Sequence, residues 1–181
     1  MFADSVIVYC GGWQRKGNNL KIYKDALNFL TSEQRDEIAD AIAKAEAVTS
    51  GEIRVLIVAA SSVLPLLSKS EQRTAVRRRA VREFAKLGIQ NTRDRTGVLI
   101  MVSIEERMVQ ILAGTGINSI VPENTWSSMV KCITEGIKAG SPVQGISKAV
   151  ADIGKLLSEH FPIKPDDSNE LSNEVVVKGR W

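Results

Sequence analysis

Between Gly97 and Gly114 the chain reads GVLIMVSIEERMVQILAG, and no other stretch limits the fold so tightly. Gly97 to Ser103 is almost uninterrupted Val, Leu, Ile and Met, too short for a separate helix and rich in β-branched residues. That composition marks a strand buried on both faces. Met108 to Ala113 is its expected antiparallel partner. Ile104, Glu105, Glu106 and Arg107 make a turn short and polar enough to join the two. The remaining elements must then cover both faces of this hairpin.

Glu52 to Ala59, EIRVLIVA, supplies another aliphatic strand. A helix-patterned stretch separates it from the hairpin, and strand, helix, strand is a crossover unit. Strands 52–59 and 97–103 are therefore expected to be parallel neighbours, with 108–113 antiparallel. Four helices are predicted, over about 32–48, 70–87, 123–139 and 142–160. Thr31 and Gln34 have capping-box spacing before the first. Gly88 and Gly140 stand where left-handed caps close the second and third. Ser141, Pro142 and Gln144 supply a cap, a first-turn proline and a capping-box partner for the fourth. Apolar stripes such as Trp126, Met129, Val130, Ile133 and Ile137 belong to the core. The expected fold is α/β, a three-layer α/β/α-like sandwich with a small mixed sheet.

Residues 28–162 form the expected domain, preceded by an extension, 1–27, and followed by a tail, 163–181. Ser5 to Cys10 is patterned for a strand and the residues after it for turns. Leu64, Leu66 and Leu67 flank Pro65 in an apolar loop that either tucks under the domain or meets a partner. In the tail, Asp166, Asp167, Asn169 and Glu170 lack the glycine and spacing of a calcium loop and read as a linker. Val175 to Val177 is either an edge strand or a disordered end. Pairing with Val6 to Val8 is one arrangement open to it.

At 181 residues the core needs neither disulfide nor metal to stand, and 24 basic against 21 acidic residues leave only +3. So mild a charge makes nucleic acid an improbable partner. Cys10 and Cys132 match no metal or redox spacing, and the single histidine, His160, excludes a multi-histidine metal site. No span approaches the roughly 18–20 apolar residues of a membrane helix, and the N-terminal apolar run is too short for a signal peptide, so a cytoplasmic location is expected. Charge is concentrated in the second helix. Lys69, Arg73, Arg77, Arg78, Arg79, Arg82 and Lys86 are answered there only by Glu71 and Glu83. This is either a solvated helix face or a surface for an acidic partner, and it lacks the interleaved aromatics that stack on bases.

NFLTSEQ before the first helix, AEAVTSGEIRV into the first strand, RAVREFAKLGI in the second helix, TRDRTGVLI into the next strand, GTGI after the hairpin, then Trp126 and HFP occur in this order. Together they resemble the TPM domain family, in a compact version made of the domain alone. The resemblance implies a role in assembly, repair or quality control of membrane complexes, and for some members an acid phosphatase activity with divalent-metal involvement.

With two parallel strands and one antiparallel, the matching segments converge on one sheet edge: Thr49, Ser50 and Glu52; Arg93, Asp94, Arg95 and Thr96; Gly114, Thr115 and Gly116. Glu52 and Asp94 are the carboxylates that calcium or magnesium would take there. Gly114 stands where many relatives have an acidic residue, and Thr96 where asparagine is common. The leading expectation is a non-catalytic or weakly catalytic accessory protein that binds a partner, with Arg77, Arg78 and Arg82 as contacts. The alternative is a divalent-metal-dependent acid phosphatase. The opposite edge offers Ser61, Ser62, Ser103, Glu105 and Glu106, with the two glutamates expected in a solvated turn.

Overall fold

A computed structural model describes residues 7–12, 26–61, 67–118 and 120–179. Five strands, β1 (Ile7–Gly12), β2 (Ile53–Val58), β3 (Val98–Ser103), β4 (Met108–Ala113) and β5 (Val176–Lys178), form one sheet in the order β1-β4-β3-β2-β5. β2 and β3 are parallel neighbours with Ile53 beside Val98, and β3 and β4 form the antiparallel hairpin with Val98 opposite Ala113. Every residue of β2, β3 and β4 is buried, which is why their sequences are apolar without alternation.

The sheet has two strands more than the three aliphatic runs. β1 pairs antiparallel with β4, Ile7 facing Ala113, and β5 pairs parallel with β2, Leu56 facing Val176. The C-terminal valines therefore do not pair with the N-terminal run, since each free edge of the central sheet takes one terminal strand. Val6 lies outside the described residues, as do residues 13–25, Ser62, Leu64 and Leu66; Leu67 is half-buried.

Helices α1 (Ser32–Glu46), α4 (Glu123–Lys138) and α5 (Pro142–His160) share one face of the sheet, over Val55, Ile100 and Ile111. α2 (Lys69–Lys86) covers the other with Val76, Ala80 and Phe84, over Leu56, Leu99 and Leu112. The stretch after β4 turns once as α3 (Thr115–Asn118). α1 carries its capping box, with Gln34 N–H donating to Thr31 Oγ1 at 3.2 Å and Thr31 N–H to Gln34 Oε1 at 2.9 Å. α2 has a second, built from Ser68 and Glu71. Ser141 makes no side-chain cap for α5. Its ψ of 59° departs from the extended backbone, 171° at Thr31 and 162° at Ser68, that aims a hydroxyl at the first turn. Gly88 and Gly140 close α2 and α4 with φ of 74° and 77°, as a left-handed cap requires.

Candidate functional site

Strand register brings the three expected segments together. Val98 N–H donates to Glu52 O at 2.7 Å, Thr96 Oγ1 donates to Ser50 O at 3.4 Å, Gly114 N–H to Gly97 O at 2.9 Å, and Gly116 N–H to Arg95 O at 3.2 Å. Thr49 Oγ1 donates to Phe161 O at 2.6 Å, and Ser50 N–H to the same carbonyl at 3.0 Å, tying this edge to the end of α5. Thr49 and Thr96 are buried, while Arg93 and Arg95 are exposed. Thr115 opens α3.

Gly114 has a packing reason. A Cβ there would lie 2.1 Å from the Arg95 carbonyl oxygen, and one at Gly116 would lie 2.3 Å from the Asp94 oxygen. Arg95 itself holds a φ of 54°. The loop is clasped between two glycines, and this backbone leaves no room for an acidic side chain at 114.

The expected carboxylates are both engaged by the C-terminal segment. Glu52, 5 % exposed, accepts N–H donors from Glu170 at 3.0 Å and Leu171 at 3.2 Å. Asp94 is paired with Lys164 at 2.5 Å. Among the described residues no three His, Cys, Asp or Glu side chains are grouped to hold a metal. As they stand, these residues do not fit a divalent cation.

Beside Glu52 lies a cavity of about 260 Å³ lined by Glu46, Thr49, Ser50, Asp167, Asn169 and Asn173 among others. Sequence reasoning passed over Glu46, because a helix end is an ordinary place for glutamate, and over Asp167, because its neighbours read as linker. Glu46 Oε1 accepts from Ile53 N–H at 2.7 Å, while Glu46 Oε2 and Asp167 Oδ2 are buried without a partner. Burial pushes Glu46 up to about 7; the Ile53 N–H opposes the rise and the charge of Glu52 adds to it. Burial also raises Glu52 and lowers Arg54, whose guanidinium is buried behind them in the field of Glu46, Glu174 and Glu52.

The linkage has a definite sign. Since the fold favours protonated Glu46, its contribution is complete below pH 4.5 and is lost as pH rises through about 7. Glu46→Gln keeps an acceptor for Ile53 without the charge. It is expected to melt about 2–4 °C above the wild type at pH 8, with the gap closing toward pH 5. Thermal unfolding of both proteins from pH 5 to 8 measures this, and a gap independent of pH would exclude Glu46 as its source.

The opposite end of the sheet corrects one expectation. Glu105 is exposed, but Glu106 is buried at 6 %, accepting Ser61 N–H at 2.9 and 3.0 Å and Ser103 Oγ–H at 2.5 Å. The turn therefore folds inward, because the Ser61 amide and the Ser103 hydroxyl are satisfied by that carboxylate. Ser62 lies outside the described residues.

On α2, Arg77, Arg78 and Arg82 are exposed together with Lys69, Arg73 and Lys86. Arg79 is not part of that face. It is buried, donating to Ala60 O and to Gly179 O, and lies 4.0 Å from Glu83, which also pairs with Lys178.

A mixed five-stranded sheet with helices on both faces, and an edge built from the TSGE, RDRT and GTG segments, defines a compact α/β domain. A sequence profile of the TPM domain matches residues 23–156, and the chain belongs to that family. It is similar to the BA42 protein of the psychrophilic bacterium Bizionia argentinensis, known from an NMR structure. The two are 35 % identical with a TM-score of 0.71, over 83 % of this chain and 96 % of that one. The N-terminal domain of a P. gingivalis protein shares the fold at 15 % identity and a TM-score of 0.52, over 74 % of this chain and 80 % of that one. No curated protein matches the chain. Among the described residues no helix is long and apolar enough to cross a membrane.

Proposed function

We propose that this TPM domain is a binding module that takes an acidic protein partner on the outer face of α2. The observation that carries the reading is the charge of that face. α2 holds seven basic and two acidic residues, and the second of those acids, Glu83, is buried with Arg79. The first, Glu71, is committed to the Ser68 cap. The exposed row Lys69–Arg73–Arg77 places like charges four residues apart, a spacing that weakens a helix. A partner's carboxylates would relieve that repulsion. Such a surface suits the role in assembly or quality control of membrane complexes that the family resemblance implies.

The acid phosphatase reading has less support. It needs carboxylates free to hold a metal at the Glu52 edge, and both are taken. Hydrolysis of a phosphate ester that requires both calcium and Glu52 would restore it.

Polyglutamate serves as the probe of the α2 surface. The wild type is expected to bind it with an affinity that falls as salt rises, and Arg77→Glu/Arg78→Glu/Arg82→Glu to weaken binding about tenfold or more. Fluorescence anisotropy measures both. Equal binding by the variant, or binding of the wild type to duplex DNA in preference to polyglutamate, would overturn the proposal.

A further inference from the structure

The outer side of β2 is only half covered by a strand. β2 has six residues, yet β5 pairs with just Leu56, Ile57 and Val58. Along the first half, the Ile53 N–H turns to a side chain, Glu46 Oε1, at 2.7 Å. Arg54 is 7 % exposed, and its Nε and Nη1 are buried without an acceptor. Continued two residues back, the β2–β5 register sets Glu174 beside Arg54. Glu174 is nevertheless exposed, because the chain leaves the strand there: its N–H bonds to Ser172 Oγ at 3.3 Å, and the Leu171 amide has gone to Glu52.

The covered half shows what this edge recognises. Ala59 N–H donates to Lys178 O at 3.0 Å, and Arg79 Nη2 donates to Gly179 O at 3.0 Å, bonds to main chain that any sequence can make. Val175 and Val177 pack on the core beneath α1, α4 and α5, and Val176 on the α2 side. Lys178 pairs with Glu83, a carboxylate 3 % exposed. Main-chain bonds for affinity and alternating side-chain contacts for selection are how a sheet edge takes an added peptide strand.

We propose that the outer edge of β2 is a peptide groove, and that residues 174–178 are a displaceable occupant standing in for an extended segment of a partner protein with an acid, three apolar residues and a lysine in that order. The segment enters parallel to β2, with its carboxylate on Arg54 and its lysine on Glu83. The groove is independent of the α2 outer face, since Arg54 and Glu83 are both buried. The tail is the part that yields. Its ladder is three residues long, its valines are half-buried, and the Arg93–Asp166 pair that helps tether it is 51 % and 66 % exposed. β2 stays in the sheet without it, because β3 pairs with all six residues. A strand that runs straight also pairs with Ile53 to Val55 and gives Arg54 its acceptor. Those gains offset the effective concentration of a tethered tail, on the order of millimolar.

The probe is a fluorescein-labelled peptide, TVEVVVKG, and its control is TVKVVVEG, in which the two charges are exchanged. By fluorescence anisotropy the wild-type full chain is expected to bind the first about tenfold more tightly than the second. Lys178→Ala weakens the tail's hold on Glu83 and leaves the groove itself unchanged. It is expected to bind TVEVVVKG about tenfold more tightly than the wild type does. At saturating peptide, amide exchange at Val176 to Lys178 is expected to quicken while the β3 amides keep their protection. The comparison of the two peptides on the wild type needs no variant. Equal binding of the two peptides, no gain in Lys178→Ala, or unchanged exchange at 176–178 would overturn the groove. A dimer that exchanges tails and excludes the peptide would give the edge to a second copy and overturn the partner segment.

Discussion

Gly114→Ala is expected to lower the unfolding free energy by about 3 kcal/mol or more, and Gly114→Asp by at least as much. The new Cβ would meet the Arg95 carbonyl at 2.1 Å to oxygen and 2.8 Å to carbon, both backbone atoms. That carbonyl cannot retreat freely, because it already accepts the Gly116 N–H and belongs to a residue held at a φ of 54°. Gly140 provides the comparison. Nothing lies within 4 Å of its Cβ position, so Gly140→Ala should cost about 1 kcal/mol, from its positive φ alone. Urea unfolding midpoints of the three variants measure the difference. A Gly114→Asp protein as stable as the wild type, and stabilised further by calcium, would mean that the 92–97 loop yields and that the edge accepts a third carboxylate.

This result bears on how a missing carboxylate is read from sequence. With only the residue types in view, glycine at 114 looks like a ligand that has been lost. With the backbone in view, it is a contact that admits nothing larger. The difference lies in the distance between two segments nearly twenty residues apart, which no local pattern encodes.

The central strands were legible for the opposite reason. β2, β3 and β4 are apolar at nearly every position because they are covered on both faces, so composition alone located them to within a residue or two. α1 was legible from its capping residues and α2 from its apolar spacing and glycine stop, although the Ser68–Glu71 cap of α2 was not read. What escaped was held by backbone or by tertiary context. Val175 to Val177 was readable as an edge strand, but its place beside β2 was not, because that pairing runs over three residues through main-chain hydrogen bonds. The Ser141–Gln144 cap has the right letters, but the backbone after Gly140 does not turn the hydroxyl toward the helix. The segment 163–174 reads as polar linker because its bonds to Glu52 come from amide groups that every residue owns. The convergence of Thr49, Asp94 and Gly114 was legible, since it follows from strand direction alone.

Glu106→Ala is expected to cost about 3–5 kcal/mol, the second large effect in this fold. Its carboxylate takes the Ser61 N–H and the Ser103 hydroxyl, and the Ser61 and Ser103 hydroxyls are 2.7 Å apart. All three residues are buried at the carboxyl ends of β2 and β3. Removing the carboxylate leaves a buried amide and a buried hydroxyl without their charged acceptor, each worth about 1.5–3 kcal/mol. Glu106→Gln keeps one acceptor oxygen but turns an amide donor toward the serines, so an intermediate loss of about 1–2 kcal/mol is expected. Urea denaturation of the two variants should return that order. In open α/β sheets the crevice beyond the carboxyl ends of parallel strands is the usual place for a ligand. Here the chain fills that place with its own glutamate. A Glu106→Ala protein as stable as the wild type would free this carboxylate from its structural role and make that end of the sheet, rather than the Glu52 edge, the place to look for chemistry.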